Sequence, residues 1–264
     1  VTALSVVIAV RDEELMLPGC LRRLHFADEL VVVVDDRTTD RSAAVAHAAG
    51  AQVLYRRFDG FADLKNAGVD AATGDWILVI DADERVSRAL ASEIMTAIGG
   101  NLDAYRVRRT NYFYGHRMDW GGWQDKPIRL LRRGVGRFVG EIHEVIELAG
   151  SHTTVGMLAA PLAHFSHRSV LDNLAKSATF GDVQARALLA AGAPQVTSRR
   201  LYATVIVELL HRLVLRRGWR DGVPGVIEAL YQPLSMLAVQ ARLWELQQQP
   251  PIDARYAQLE EDTW

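Results

Sequence analysis

The sequence predicts an α/β domain on a mostly parallel sheet flanked by helices, followed by a helical C-terminal extension. Three observations lead there. Runs rich in Val and Ile, at residues 4–10, 30–34 and 76–80, stop abruptly at charged residues. Helical patterns separate these runs, and from about Ser169 onward only helical patterns remain. Continuous apolar runs of this kind suit strands buried on both faces, as in parallel sheets. Strands alternating with helices at such spacing imply right-handed crossovers.

Residues 4–10 form the first strand, and Arg11-Asp12-Glu13-Glu14 opens a helical pattern through Leu17, Leu21 and Leu24. Acids in a first helical turn complement the helix dipole, which explains Asp12 and Glu13 without any function. Residues 30–34 form the second strand and end in Asp35-Asp36-Arg37-Thr38-Thr39-Asp40. Thr39 or Asp40 can cap the next helix and Gly50 can close it. A short strand at 53–55, a loop at 58–61 and a helix at 63–72 carrying Lys65 and Asn66 lead to the strand ending at Asp81. A helix at 87–98, with Ser87 as its cap, stops at Gly99-Gly100. Strands are expected at 104–110, 128–132 and 138–148, with an aromatic, glycine-containing stretch from Asn111 to Trp123 between the first two. Such rings either stack on sugars or pin the loop to a core. Beyond Ser169, Tyr202, Val205, Ile206, Leu209, Leu210, Leu213 and Val214 trace one helical face, and a long helix spans about 226–248. The tail after Pro250-Pro251 is polar and carries no signal.

Composition narrows the function. A net charge of -2 gives no global case for nucleic acid, and none is expected as a partner. One cysteine, Cys20, excludes a disulfide framework or a cysteine metal site, and a reducing cytoplasm is expected. There is no signal peptide pattern and no apolar run long enough to span a bilayer. Arg199, Arg200, Arg212, Arg216, Arg217 and Arg220 crowd the ends of the apolar helical face. Such a helix either packs on the preceding domain or lies on an anionic membrane surface. No glycine-rich dinucleotide fingerprint and no phosphate-loop lysine is present.

The chemistry centres on Trp76-Ile77-Leu78-Val79-Ile80-Asp81-Ala82-Asp83-Glu84. A buried strand ending in two aspartates one residue apart presents hard oxygen donors at the edge where open α/β sheets bind ligands. Such a pair suits Mg2+ or Mn2+ and, through the ion, phosphate. The same residues also suit an acidic turn leading into the helix capped by Ser87. In the later strand, Glu141 and His143 share one face by period two and Glu144 takes the other, unless a bulge intervenes.

Several stretches together resemble the family 2 glycosyltransferases of the GT-A fold (Rossmann-like nucleotide-diphospho-sugar transferases), most closely bacterial lipopolysaccharide-core glucosyltransferases. They are Ser5-Val6-Val7-Ile8, Arg11-Asp12-Glu13-Glu14, Val33-Val34-Asp35-Asp36-Arg37-Thr38-Thr39-Asp40, Gly60-Phe61 with Lys65-Asn66, and Asp81-Ala82-Asp83-Glu84-Arg85-Val86. Gly121-Gly122-Trp123, Arg129-Leu130, Gly140-Glu141-Ile142-His143-Glu144 and His164 come later in the chain, in the family's order. The likeness covers the chain to about residue 167 and sets the expected domains. Residues 1–167 form the catalytic domain, with a nucleotide-sugar half at about 1–100 and an acceptor half at about 101–167; residues 168–264 form the extension.

The resemblance implies site residues one by one. Val10 and Glu13 lie at the nucleoside, Asp35 meets the base, and Lys65 and Arg129 lie at the nucleotide. Asp81 and Asp83 match the DxD pair that holds a divalent metal and the donor, and His164 matches a histidine that reaches the metal or diphosphate. Glu144 is the first choice for the general base; Asp125 and Glu141 are rivals, and His143 orients or shares the proton. Two departures stand out: Asp12 replaces the usual Asn, and Arg37-Thr38 replace the usual Gly-Ser. The implied activity is inverting, Mn2+- or Mg2+-dependent transfer from a nucleotide-sugar, a UDP-sugar such as UDP-glucose, to a hydroxyl of a cell-envelope glycan or lipid-linked acceptor. Polyprenyl-phosphate or protein acceptors are the alternative. A sugar-phosphate nucleotidyltransferase is disfavoured, because Arg11-Asp12-Glu13-Glu14 stands where such enzymes carry a glycine-rich basic loop.

Overall fold

The structure is a computed structural model and describes residues 2–140, 144–150 and 152–263. Its strands are β1 (Leu4–Val10), β2 (Glu29–Asp35), β3 (Gln52–Arg56), β4 (Trp76–Asp81), β5 (Glu84–Arg85), β6 (Ala104–Phe113), β7 (His116–Arg117), β8 (Ile128–Arg132), β9 (Gly136–Val139), β10 (Val145–Leu148) and β11 (Val155–Ser166). The helices are α1 (Leu17–Leu21), α2 (Ser42–Ala48), α3 (Phe61–Ala71), α4 (Arg88–Ala97), α5 (Val170–Ala190), α6 (Ser198–Leu210), α7 (Gly222–Leu246) and α8 (Ile252–Thr263). The chain divides into two compact units, Val1–Tyr112 with Gln124–Ser166, and Phe113–Trp123 with His167–Trp264.

In the first unit β1 lies between β2 and β4, parallel to both, and β2 pairs in parallel with β3. The register sets Ile8 beside Val32 and Ile80, and Ala9 beside Val33 and Asp81. Side chains alternate along a strand, and here both faces find a core. Val6, Ile8, Val32, Leu78 and Ile80 pack on one side. Val7, Val31, Val33, Ile77 and Val79 pack on the other. Burial on both faces is why these strands are apolar without interruption. Antiparallel strands extend the sheet, which runs β3-β2-β1-β4-β8-β6-β11-β5. The α/β class with a parallel sheet at its centre is as the sequence predicts.

Helix α3 sits unusually close to the sheet, and this closeness positions a buried lysine. A Cβ on Gly68 would stand 2.3 Å from Val7 Cγ1 and 3.0 Å from Val33 Cγ2. The helix therefore presses directly on the face carrying Val7 and Val33. Alternation from Ile77 and Val79 sends Asp81 to that same face. Lys65, three residues before Gly68, lies on the buried side of the helix.

Local expectations fare unevenly. Ser87 Oγ accepts the Leu90 N–H at 3.1 Å, as a cap should. Asp40 Oδ1 accepts the Ser42 N–H at 2.8 Å at the start of α2. The first helix is shorter than its apolar pattern, ending at Leu21 rather than reaching Leu24. The single strand expected at 138–148 is instead the β9–β10 pair, a separate two-stranded sheet with Val139 opposite Val145. Gly140, at φ 99°, turns the chain out of β9. Glu141 and His143 lie outside the described residues.

The second unit has its own small core of Ala185, Val196, Val239 and Leu243. Glu228 on α7 is fully buried and accepts from Tyr114 Oη at 3.1 Å and Gln232 Nε2 at 2.8 Å, with His167 Nδ1 also 2.8 Å away. Asp221 accepts the N–H groups of Asp119 (3.1 Å) and Trp120 (2.9 Å). The Arg212 guanidinium lies 4.2 Å from the Trp123 ring. The aromatic stretch is thus pinned to the helices, one of its two sequence readings. The polar tail forms α8, which buries no residue and so left no apolar pattern to read.

Gly68→Ala is expected to destabilise the protein by about 1–3 kcal/mol through overpacking against the stiff Val7 side chain, despite alanine's better helix propensity. Urea unfolding of the two proteins measures it.

Candidate active site

The site forms where β1, β2 and β4 end, the edge at which open α/β sheets take their ligands. Two cations hold the Asp81 carboxylate. Lys65 Nζ from α3 lies 2.8 Å from Oδ1, and Arg129 Nη2 from β8 donates to Oδ2 at 2.8 Å. Arg129 Nη2 also donates to Glu84 Oε1 at 2.7 Å. Glu84 is fully buried, and its Oε2 accepts the Asp81 N–H at 2.9 Å. Arg109 on β6 lies 3.4 Å from Glu84 Oε1 and grips Asp125 through Nε at 2.7 Å and through Nη2. Lys65 Nζ donates to Glu144 Oε1 at 2.5 Å.

Burial pushes the Asp81 carboxyl up, but Lys65 and Arg129 outweigh it and hold it well below the usual carboxylate range. Burial pulls the Lys65 ammonium down, yet the Asp81 and Glu144 carboxylates raise it above its ordinary value. Both groups therefore stay charged, the ammonium buried and the carboxylate partly open to solvent. Three cations (Lys65, Arg109 and Arg129) face four carboxylates (Asp81, Glu84, Asp125 and Glu144), which leaves the cluster short of positive charge.

Strand β4 ends at Asp81, and Asp83 sits in the turn beyond it. The two aspartates therefore have different partners. Asp83 Oδ2 lies 3.5 Å from Nε2 of His164, which sits on β11 opposite Glu84. His164 Nδ1 bonds to Asn111 Oδ1 at 2.7 Å. An amide oxygen only accepts, so Nδ1 carries the proton and Nε2 is directed to Asp83. Burial lowers the imidazole's affinity for a second proton, but hydrogen bonding to and the charge of Asp83 raise it above the ordinary value.

A carboxylate oxygen and an Nε2 oriented by an amide are a usual pair of metal ligands with their outer-shell support. Among the described residues no three His, Cys, Asp or Glu side chains gather as a complete ligand set. Mg2+ and similar ions commonly take one or two protein ligands and fill the rest with water and phosphate, so Asp83 with His164 fits such an ion.

The nucleoside residues named from the sequence lie at neighbouring strand ends. Val10 closes β1 and is buried. The Glu13 N–H donates to Ser42 Oγ at 2.8 Å. Asp35 closes β2 at 1 % exposure, and Arg37 clamps it through Nε at 3.0 Å, Nη2 at 2.6 Å and its backbone N–H at 2.9 Å. The Arg37 hydrogen bonds keep the Asp35 carboxyl below its usual range. The Arg37 guanidinium lies 4.0 Å over the Phe58 ring. The residue at positive φ in this region is Asp12 (52°), whose Oδ1 accepts the Thr39 N–H at 2.7 Å. Cys20 is no nucleophile here, since burial pushes its thiol up to about 12.

Sequence reasoning does not single out Glu84, Arg109, Asn111 or Arg37 as site residues. Arg109 shares the strand parity of buried Tyr105 and Val107, a signal that could have found it. Nothing local marks Glu84 as buried, because its charged partners come from β6 and β8.

Residues 5–145 match the family described as glycosyl transferase family 2. The chain belongs to that family and is a glycosyltransferase. It is 28 % identical over 265 residues to the lipopolysaccharide core biosynthesis glycosyltransferase LpsC of Rhizobium meliloti, covering 95 % of this chain and 96 % of that one. An uncharacterized glycosyltransferase of Rickettsia conorii is 24 % identical, covering 86 % and 84 % of the two chains. Among solved structures, the mannosyltransferase PcManGT from Pyrobaculum calidifontis, in complex with GDP-Man and Mn2+, superposes with a TM-score of 0.49 at 12 % identity, covering 90 % of this chain and 75 % of that one.

The raised His164 pKa sets a pH dependence in metal-free protein. Its contribution to stability is fully present below about pH 6.5, the unfolded value, and is lost as pH rises through the higher folded value. Urea unfolding in EDTA is therefore expected to separate wild type from His164→Gln most on the acid side, with the gap closing toward alkaline pH.

Proposed function

We propose that the chain transfers a hexose, with inversion, from a UDP-sugar such as UDP-glucose to a hydroxyl of a cell-envelope glycan or lipid-linked acceptor such as lipopolysaccharide core. The reaction belongs on the cytoplasmic side, at the membrane surface. One observation carries the reading: two buried cations, Lys65 and Arg129, hold Asp81 at the end of the central sheet, with Asp83 and His164 beside it. The full-length likeness to LpsC supports the acceptor class.

Asp81, Asp83 and His164 would hold Mn2+ or Mg2+, and Lys65, at Asp81, stands where it would meet the donor diphosphate. The bound ion supplies Lewis acidity to the leaving diphosphate. Lys65 and Arg129 neutralise charge as the bond between the anomeric carbon and the diphosphate oxygen breaks. The acceptor oxygen attacks from the opposite face, and its proton passes to a carboxylate. Glu144 is that base. Among the described residues it is held through one oxygen, by Lys65, whereas both oxygens of Asp125 are taken by Arg109. Val10, Glu13 and Asp35 line the nucleoside end. Arg37 supplies guanidinium donors to the base, since Asp35 is already engaged.

Transfer measured as UDP release with acceptor present is expected to stop in EDTA and return with Mn2+ or Mg2+; full activity in chelator contradicts the metal assignment. Glu144→Gln is expected to lower turnover by about 10²–10⁴ in protein still folded by circular dichroism, and wild-type turnover would remove Glu144 as the base.

A further inference from the structure

The second unit carries an apolar stripe that its core does not use. Helix α6 buries no residue. Tyr202, Ile206 and Leu210 recur every four residues, and Val214 continues the line through the π-helical turn His211–Leu215. Their exposures are 71, 53, 52 and 61 %, and Val207 and Leu215 widen the stripe at 64 and 76 %. Val205, Leu209 and Leu213, which the sequence pattern puts on the same face, are only partly exposed. At the corner beyond, the 3₁₀ turn Gly218–Asp221 adds Trp219 at 56 %, and the start of α7 adds Val223 at 73 %. Contiguous exposed apolar surface of this kind marks a contact site.

Along α6 and the π-helical turn after it, the charge left without an ion-pair partner has one sign. Arg199 stands one helical turn ahead of Tyr202, and Arg216, Arg217 and Arg220 stand exposed at the other end. The acids in the same stretch are engaged internally. Glu208 is bonded to Arg212 at 2.6 Å, and Asp221 accepts the Asp119 and Trp120 N–H groups. Arg212 is engaged too, donating to the Gly121 carbonyl at 3.0 Å. Arg220 lies 4.5 Å from the Trp120 ring and 5.6 Å from that of Trp219. Tryptophan beside arginine at the rim of an apolar surface suits a membrane–water interface.

A second copy of the chain fits this face poorly. Both ends of the stripe are basic, so a two-fold contact along it would set arginines against arginines whichever way the helices run. No helix of the described residues is long and apolar enough to cross a membrane.

We infer that the Tyr202–Val214 stripe and the arginine corner around Trp219 dock the chain on an anionic lipid bilayer. The apolar side chains enter the headgroup boundary and the arginines meet lipid phosphates. The inference rests on the proposed membrane placement and gives it a specific surface, and it does not depend on the donor or the metal.

Co-sedimentation with vesicles tests it. Wild type is expected to bind vesicles of phosphatidylcholine mixed with phosphatidylglycerol, to lose them as salt rises, and to ignore pure phosphatidylcholine. The triple variant R199Q/R217Q/R220Q is expected to bind about tenfold more weakly or worse. I206S/L210S/L215S is expected to lose binding while keeping its helicity by circular dichroism; if it unfolds, the salt and lipid-charge dependence of wild type decides. Wild type left in the supernatant with anionic vesicles, or unchanged binding by the arginine variant, overturns the inference. So does a solution dimer that the serine variant separates and that ignores vesicles, since the stripe then belongs to a second copy. UDP binding measured on the same samples reports on the donor site separately.

Discussion

Asp81 stands at the end of a strand buried on both faces, and two buried cations neutralise it from two sides. Lys65 reaches it from the helix that Gly68 allows against β1 and β2. Arg129 reaches it from the antiparallel neighbour of its own strand. Both cations are nearly inaccessible to water, so neither interaction is the weak, screened kind found at surfaces. Removing charges from water costs several kcal/mol per ion, and paired burial often does no better than breaking even. The network is therefore poorly explained as a source of stability. It is better understood as a way to hold charged groups at fixed positions with little reorganisation left to do, which is what charge stabilisation in a reaction requires.

The rest of the site derives from that constraint. Glu84 ties the Asp81 backbone to Arg129, and Arg109 carries the linkage on to Asp125. Glu144 is brought to the same ammonium as Asp81, so one lysine joins carboxylates from two distant parts of the chain. Asp83 escapes the network because β4 has ended, and it meets the imidazole that Asn111 orients. Two aspartates one residue apart thus acquire different environments, one held by Lys65 and Arg129 and one beside His164.

Much of this is legible in the residues. Uninterrupted Val and Ile runs announce strands with two buried faces, and both clusters of the core bear that out. The acidic end of β4, the lysine of α3 and the histidine of β11 all stand out in the sequence, and the fold brings them to one edge. What stays hidden depends on non-local pairing. Glu84 reads as one more acid in an acidic turn until Arg109 and Arg129 arrive from strands 25 and 45 residues away. Arg37 stands outside the usual motif, and only the structure reveals that it occupies both oxygens of Asp35. A single strand at 138–148 is the wrong reading because period two cannot register a glycine at φ 99°. The apolar line of α6 is visible in the sequence, but which of its residues face outward is not, since the π-helical turn alters the count.

The central claim is that Lys65 and Asp81 act as one electrostatic unit, and a double-mutant cycle tests it most directly. Urea unfolding of wild type, Lys65→Met, Asp81→Asn and the double variant isolates their coupling. The account requires a coupling energy above about 1 kcal/mol, with the double variant less destabilised than the two single losses added together. Additive losses, within about 0.5 kcal/mol, would contradict it.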